Sequence, residues 1–383
     1  MHPLVYLLAG TSYVLASMSI MDPRSFVDLA ADASDNSTRA VYDIEPIFYQ
    51  TNNIQGPHFF SKGNNTSANH TTFTVNSNDT SVIVATEGAQ LNLSHVHVVK
   101  HGYSPNLYQA SFYGSNAPIN VANDSSAYIT NSNISVHNGA ANVFAFGSNT
   151  VVYISDSNLY SSGPVLHGLY AAGNGTIVGK NIRHYSGGNC CSSFSGNNPA
   201  GTGSVYDSVA HTPPGENVVG LTEQAPALFS DGPQTAEIEH VDFTAGLLAG
   251  TVMFSSATRT SGASLSFSSS KLSVTDPDAP AFWFGNIIAT AHIYGASITT
   301  VSGILLVANS SQVTQEFSYF AGPKENSATL PAEVEATIRE SAQAGDIIVC
   351  NGSTVSWSPT ESSVWTGKLA PQLNVFREAA FWV

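Results

Sequence analysis

Two carboxylates two residues apart on one strand are the simplest acid–base chemistry this chain offers. Glu237 and Glu239, in TAEIEHVD, share a face if that segment is extended; Asp242 follows closely and His240 falls on the other parity. Like charges held this near raise one pKa, which suits a general acid. The plainer meaning of the same pattern is a solvated strand face. A second group is Asp156, Arg183 and His184. If the segments around them stack about 5 Å apart, the three line one groove, where an Asp–His or Asp–Arg pair would abstract or deliver a proton. His167 sits at the turn between them and joins as a substrate-binding residue; the competing meaning is a surface salt bridge with turn histidines. Phe282, Trp283, Phe284 and Tyr294 crowd one segment, and Tyr153 and Tyr160 another. Exposed aromatics stack on sugar rings or hold apolar molecules, so Trp283 and Tyr294 are further substrate-binding candidates, and interior packing accounts for the rest.

Metal chemistry finds less support. His95, His97 and His101 crowd SHVHVVKHGY, and His95 and His97 share a strand face, but no third ligand of suitable geometry follows. Asp276 and Asp278 in TDPDAP read as a Pro-punctuated turn. No metal and no cofactor is expected.

The elements that must position these residues recur. VFAFGSNTVVYISDSNLYSSG (143–163), LYAAGNGTIVGKNIRHYSGG (169–188), ALFSDGPQTAEIEHVDFTAG (227–246) and AFWFGNIIATAHIYGASITTVSG (281–303) share one order of short strand, Gly or Asn turn, alternating strand and turn. Weaker copies begin at Val82, Ile119 and Thr251. Strands this short are stable only when stacked on copies above and below, with alternate residues in a common core. The expected fold is therefore all-β, a single-stranded parallel β-helix of roughly nine coils and about 40 Å. An all-β sandwich explains the strands but not the constant motif order. One short helix is expected near the C-terminus, over PAEVEATIRESAQA (331–344), with Pro331 in its first turn, acids at its start and Gly345 at its cap.

Leu4 to Ala16 form an apolar run of signal-peptide length, with Val14 and Ala16 as small residues before a cleavage point. The expected organisation is a signal peptide at 1–16, a leader and cap at 17–80, and the β-helix at 81–383. Export fits the sequons at Asn36, Asn65, Asn69, Asn78, Asn92, Asn123, Asn133, Asn174, Asn309 and Asn351; Asn64 overlaps Asn65. Three cysteines, Cys190, Cys191 and Cys350, leave at least one thiol free or bridged between chains; a bridge from Cys350 to Cys190 or Cys191 would tie the last coils to the middle. Twelve Lys and Arg against twenty-seven Asp and Glu argue against a nucleic acid or anionic membrane partner, and no later stretch is apolar enough to span a bilayer.

The rung HGLYAAGNGTI (167–177) and the terminal GDIIVCNGSTVSW with SSVWTGKL resemble the pectin-lyase-like β-helix superfamily, and more particularly extracellular adhesin-like or autotransporter-like members. The resemblance covers about residues 80 to 370 and implies a right-handed helix. It does not fix a function, because this superfamily hosts lyases, hydrolases, isomerases, adhesins and structural rods. The paired Asp-Asp and the Arg-Ile-Lys of its pectin hydrolases are missing here, His167-Gly168 matches only part of their Gly-His-Gly, and the basic motifs of its lyases are missing too. The expected function is an exported glycoprotein that acts on or binds glycans. The rivals are a non-catalytic adhesive rod and an isomerase or cyclase of a small metabolite. The expected partner is thus a glycan or a small-molecule ligand.

Overall fold

The computed structural model describes residues 54–369, apart from 103, 105–109, 111–112, 138–139, 163–165, 190–191, 198–210, 217, 256–258, 311–329 and 351. The expected signal peptide, most of the leader, Cys190, Cys191, Asn36 and Asn351 lie outside these residues.

Every strand pairing among the described residues is parallel, which is incompatible with a sandwich of antiparallel hairpins and consistent with a parallel β-helix. Among the described residues one sheet, here face A, has eleven strands in chain order: His58–Phe60, Ile83–Ala85, Ile119–Ala122, Ala140–Phe146, Leu166–Ala172, Phe194–Asn197, Leu228–Asp231, Thr251–Phe254, Phe282–Gly285, Ile304–Asn309 and Asp346–Val349. Each opens one coil, numbered 1 to 11. Among the described residues the first strand of the stack is His58–Phe60. The return distance varies: Leu228 pairs with Thr251, and Leu306 with Ile347, so the longer coils carry excursions outside the shared frame.

After face A, each coil adds a strand to face B and then one to face C. In coil 2 these are Gln90–Ser94 and His97–Lys100; in coil 3, Ser126–Thr130 and Asn133–His137. In coils 4 and 5 the strands Val151–Ser162 and Thr176–Asn189 run through both faces. Strand alternation sends one residue in two inward. Ile83, Ile119, Val143, Leu169, Phe194 and Leu228 stack inside face A, and Leu91, Ala127, Val152 and Ile177 inside face B, all nearly free of solvent. Burying each such large apolar side chain is worth about 1.5–3 kcal/mol.

The corner between faces B and C is one residue wide and left-handed. His70, His95, Asn131, Asp156, Asn181, His240, Ser269, Gly295, Glu340 and Glu361 occupy it with φ between 43° and 57°. Asn and Asp tolerate this region by local hydrogen bonding and Gly295 adopts it without strain; the His, Ser and Glu positions lie between parallel strands that fix the chain on both sides. Just past the corner a column of serines bridges coils. Ser157 Oγ accepts from Ser132 N at 3.1 Å, Ser270 Oγ from Val241 N at 3.1 Å, and Ser341 Oγ from Ala296 N at 3.0 Å. These are backbone donors that the turn would otherwise bury unpaired.

The helix expected at 331–344 is absent. The segment forms the strands Glu333–Arg339 and Ala342–Ala344. Val334, Ala336 and Ile338 point inward and Glu333, Glu335 and Arg339 outward, a period of two. Parallel partners flank it on both sides, Ile287–Tyr294 and Thr354–Thr360, and their hydrogen bonds override local helix propensity. Among the described residues no helix is long and apolar enough to cross a membrane.

Candidate functional site

Face C changes character at its middle. Its inner column runs Ile134, Leu159, His184, Gly220, Phe243 and Leu272, so a histidine occupies a leucine's place inside the stack. The neighbouring inner column passes from Val136 through Ser161, Ser186 and Thr222 to Ala245. His184 is buried, with Ser161 Oγ 3.0 Å from Nε2 and Ser193 Oγ 2.8 Å from Nδ1. A neutral ring has one N–H, so one serine donates to it and the other accepts. Burial pushes the His184 imidazolium down to about 3.

Two glycines make room for this group. A Cβ at Gly220 would lie 2.5 Å from Ser193 Oγ and 2.9 Å from the Phe243 ring, and one at Gly168 would lie 2.6 Å from Ser193 O and 3.0 Å from the His184 ring.

His167 lies on the other side of the wall, against the outer surface of face A. The outer column there reads Phe144, Tyr170, Ser195, Phe229, Val252 and Trp283. Phe144 and Tyr170 stack at 4.7 Å, but Ser195 leaves a gap before Phe229. The His167 ring stands in that gap, 5.0 Å from Tyr170 and 6.3 Å from Phe229 between centroids. Ser192 N–H donates to His167 Nδ1 at 3.2 Å, so the neutral ring carries its proton on Nε2. Burial, and after it the nearby His184, pushes the His167 imidazolium down to about 3. Two neutral histidines, Ser161, Ser192, Ser193 and the aromatic rings thus form one buried group.

The other sequence-derived candidates lie elsewhere. Asp156 is exposed at the B–C corner and accepts from Asn181 Nδ2 at 2.7 Å. Arg183 is exposed, because adjacent residues on a strand face opposite ways and its neighbour His184 points in. Glu237 and Glu239 stand on the outer surface of face B, with Ala236 and Ile238 turned inward. His240 Nδ1 is 3.7 Å from the Glu239 carboxylate. Trp283 packs beside Phe229, Val252 and Phe254, with its Nε1 buried and unpartnered. The exposed Tyr294 donates to Glu340 Oε2 at 3.0 Å and lies under the Arg339 guanidinium; that hydrogen bond raises its pKa. Asn65, Asn69, Asn78, Asn92 and Asn123 are exposed, and Asn133, Asn174 and Asn309 half-buried.

Sequence reasoning missed Ser161, Ser192 and Ser193; the signal was a serine run in columns where other coils are apolar. It also missed Lys100, which is fully buried and donates to Ser77 O at 2.9 Å, Gly102 O at 3.2 Å and His101 O. Nearby Asp79 accepts from Ser104 Oγ at 2.6 Å, and burial raises its pKa. Among the described residues no group of three or more His, Cys, Asp or Glu could hold a metal ion, and the Cys350 thiol is free. An open groove of about 550 Å³ follows the B–C corner, lined by His240, Asp242, Ser269 and Lys271 among others.

Comparison with family models, with curated proteins and with solved structures gives no match. Any reading of function therefore rests on the site. A neutral imidazole N–H among aromatic rings can donate to a carbonyl or hydroxyl oxygen and polarise it without carrying charge.

Proposed function

We propose that this chain is an exported, right-handed β-helix glycoprotein of the pectin-lyase-like kind that isomerises or cyclises a small, largely apolar organic molecule. The observation that carries this reading is the gap between Tyr170 and Phe229 filled by His167, with its tautomer set by Ser192. Tyr170 and Phe229, buried on either side of His167, are the apolar surface against which such a skeleton would pack. His167 Nε2–H donates to a carbonyl oxygen and stabilises the enolate formed when water takes the adjacent C–H proton; a proton returned from water at the far carbon of the unsaturated system completes the isomerisation, and Nε2–H is regained unchanged. The low imidazolium pKa favours hydrogen-bond donation by the neutral ring over full protonation of the substrate.

Hydrogen–deuterium exchange tests this. A panel of cyclic and unsaturated ketones is incubated with the protein in D₂O, beside a panel of plant and fungal polysaccharides, and each is followed by mass spectrometry. The expected result is deuterium uptake by a ketone that falls at least about 100-fold in His167→Phe, which keeps the ring stack but loses the N–H. Turnover of polysaccharide alone, or exchange unchanged in His167→Phe, overturns the reading.

A second reading, glycan recognition, draws on the open groove at the B–C corner, where His240, Asp242 and Lys271 offer donors and acceptors on a polar surface. Lys271 Nζ stands 3.3 Å from Asp242 Oδ2, so the pair can open to a sugar hydroxyl at little cost. Lys271→Ala would weaken oligosaccharide binding under this reading and leave ketone exchange untouched.

A further inference from the structure

The outer surface of face B carries two exposed aromatic rings in register. Tyr128 and Tyr153 are partners in coils 3 and 4, 49% and 44% exposed, with centroids 5.2 Å apart and planes 11° from parallel. That spacing is close to the layer spacing of the stack, so the ring faces look along its axis. Tyr153 covers one face of Tyr128. The other face looks toward coil 2.

The residue in register with Tyr128 in coil 2 is Asn92. It points outward from Gln90–Ser94, with Leu91 and Leu93 turned into the core. It opens the sequon Asn92-Leu93-Ser94. One coil further down, the same column holds the small Ser67, which leaves space beside the Asn92 amide. That amide makes only a long contact, 3.5 Å to Asn65 Oδ1.

We propose that Asn92 is an N-glycosylation site whose first N-acetylglucosamine ring lies on the free face of Tyr128, as the next layer of the Tyr128–Tyr153 stack. The argument is one of spacing. A sugar joined to Asn92 Nδ2 starts one layer from Tyr128, a distance at which the C–H face of a pyranose packs on an aromatic ring. Its polar edge then meets Gln90 and Ser94, on the same outward parity of the strand. The modification would cover aromatic surface that otherwise faces water. This proposal rests on export to a glycosylating compartment and is independent of the His167 site.

The test expresses the full chain in a eukaryotic secretory host. One arm keeps the native N-terminus; the other uses a proven secretory leader, so failure of the native leader to export does not decide the outcome. Peptide mass spectrometry on the second arm is expected to find glycan on Asn92 in most molecules. Trimming to a single N-acetylglucosamine should leave the melting temperature unchanged. Asn92→Gln should lower it by about 2 °C, and that difference should vanish in a Tyr128→Ser background. Ring-current upfield shifts of the first sugar's protons, lost in Tyr128→Ser, give a readout independent of stability. An unmodified Asn92, an equal cost of Asn92→Gln in both backgrounds, or unshifted sugar protons would overturn the proposal.

Discussion

The Ser192 N–H donates to His167 Nδ1 from 3.2 Å, and this single backbone bond decides which nitrogen of His167 holds its proton. Ser193, the next residue, meets His184 Nδ1 at 2.8 Å. One short segment thus ties together a histidine inside the stack and a histidine outside it. Both rings are neutral because both are buried, and their pKa values fall to about 3 from the ordinary 6.5.

The pH dependence of stability follows from those shifts. An imidazole whose folded pKa is depressed stabilises the fold fully above the unfolded value of about 6.5, and that stability is lost as pH falls toward 3. Each ring contributes on the order of a few kcal/mol over the full range. Urea midpoints at pH 7.5 and 4.5 should differ markedly in the native chain. His184→Leu, which restores the residue type found at Leu159 one coil earlier, should lower stability at pH 7.5 by stranding two serine hydroxyls but flatten the acid loss. An unchanged acid slope in that variant would contradict burial of a neutral His184.

Gly220 tests how tightly the group is built. A methyl group there meets Ser193 Oγ at 2.5 Å and Phe243 at 2.9 Å, so Gly220→Ala should cost about 2–3 kcal/mol in chemical denaturation. Removing the Ser193 hydroxyl takes away the nearest clash. The double variant Gly220→Ala with Ser193→Ala should therefore lose less than the sum of the two single losses. Strict additivity would mean that the two residues do not touch.

The stack itself was legible in the sequence because its corners need residues that tolerate positive φ, and those residues punctuate the repeats. Asn131, Asp156 and Asn181 sit at the same corner in three successive coils. The first coil was not legible, since NTSAN and TFTV carry few apolar residues. Strand parity in the fifth coil was readable: Ile182 and His184 are two apart and share the inner side, and Arg183 between them points out. What could not be read is the meeting of Ser161, His184 and Ser193. It depends on how the chain returns from face C to face A, where no periodicity guides the eye.

The corner serines carry a second stability prediction. Ser341 Oγ is the acceptor that the Ala296 N–H reaches across the coil boundary, and it donates in turn to Arg339 O at 2.9 Å. Ser341→Ala leaves a buried backbone donor without its side-chain acceptor and should cost about 1–3 kcal/mol. Ser297→Ala, on an exposed outward position of face C, should change stability by less than about 0.5 kcal/mol. Equal effects at the two sites would remove the serine column from the list of things holding the coils together.

The segment 333–339 separates two periods by mutation. Val334 and Ile338 are four apart, so they share a side in either a helix or a strand and do not tell the two apart. Ala336 decides, because in a strand it lies between them on the same side, and it is fully buried. Ala336→Lys forces a charge into the core of the tenth coil, between Ala291 and Trp357 in the neighbouring layers, and should unfold the C-terminal coils. Glu335→Lys, one residue earlier on the outer surface, should be tolerated within about 0.5 kcal/mol. Limited proteolysis reads the difference: the Ala336→Lys chain should be cut within the strands Ile287–Tyr294, Glu333–Arg339 and Thr354–Thr360 at protease levels that leave those strands of the Glu335→Lys chain intact. In a helix, positions 335 and 338 would share a side instead, and Glu335→Lys would then be the damaging change.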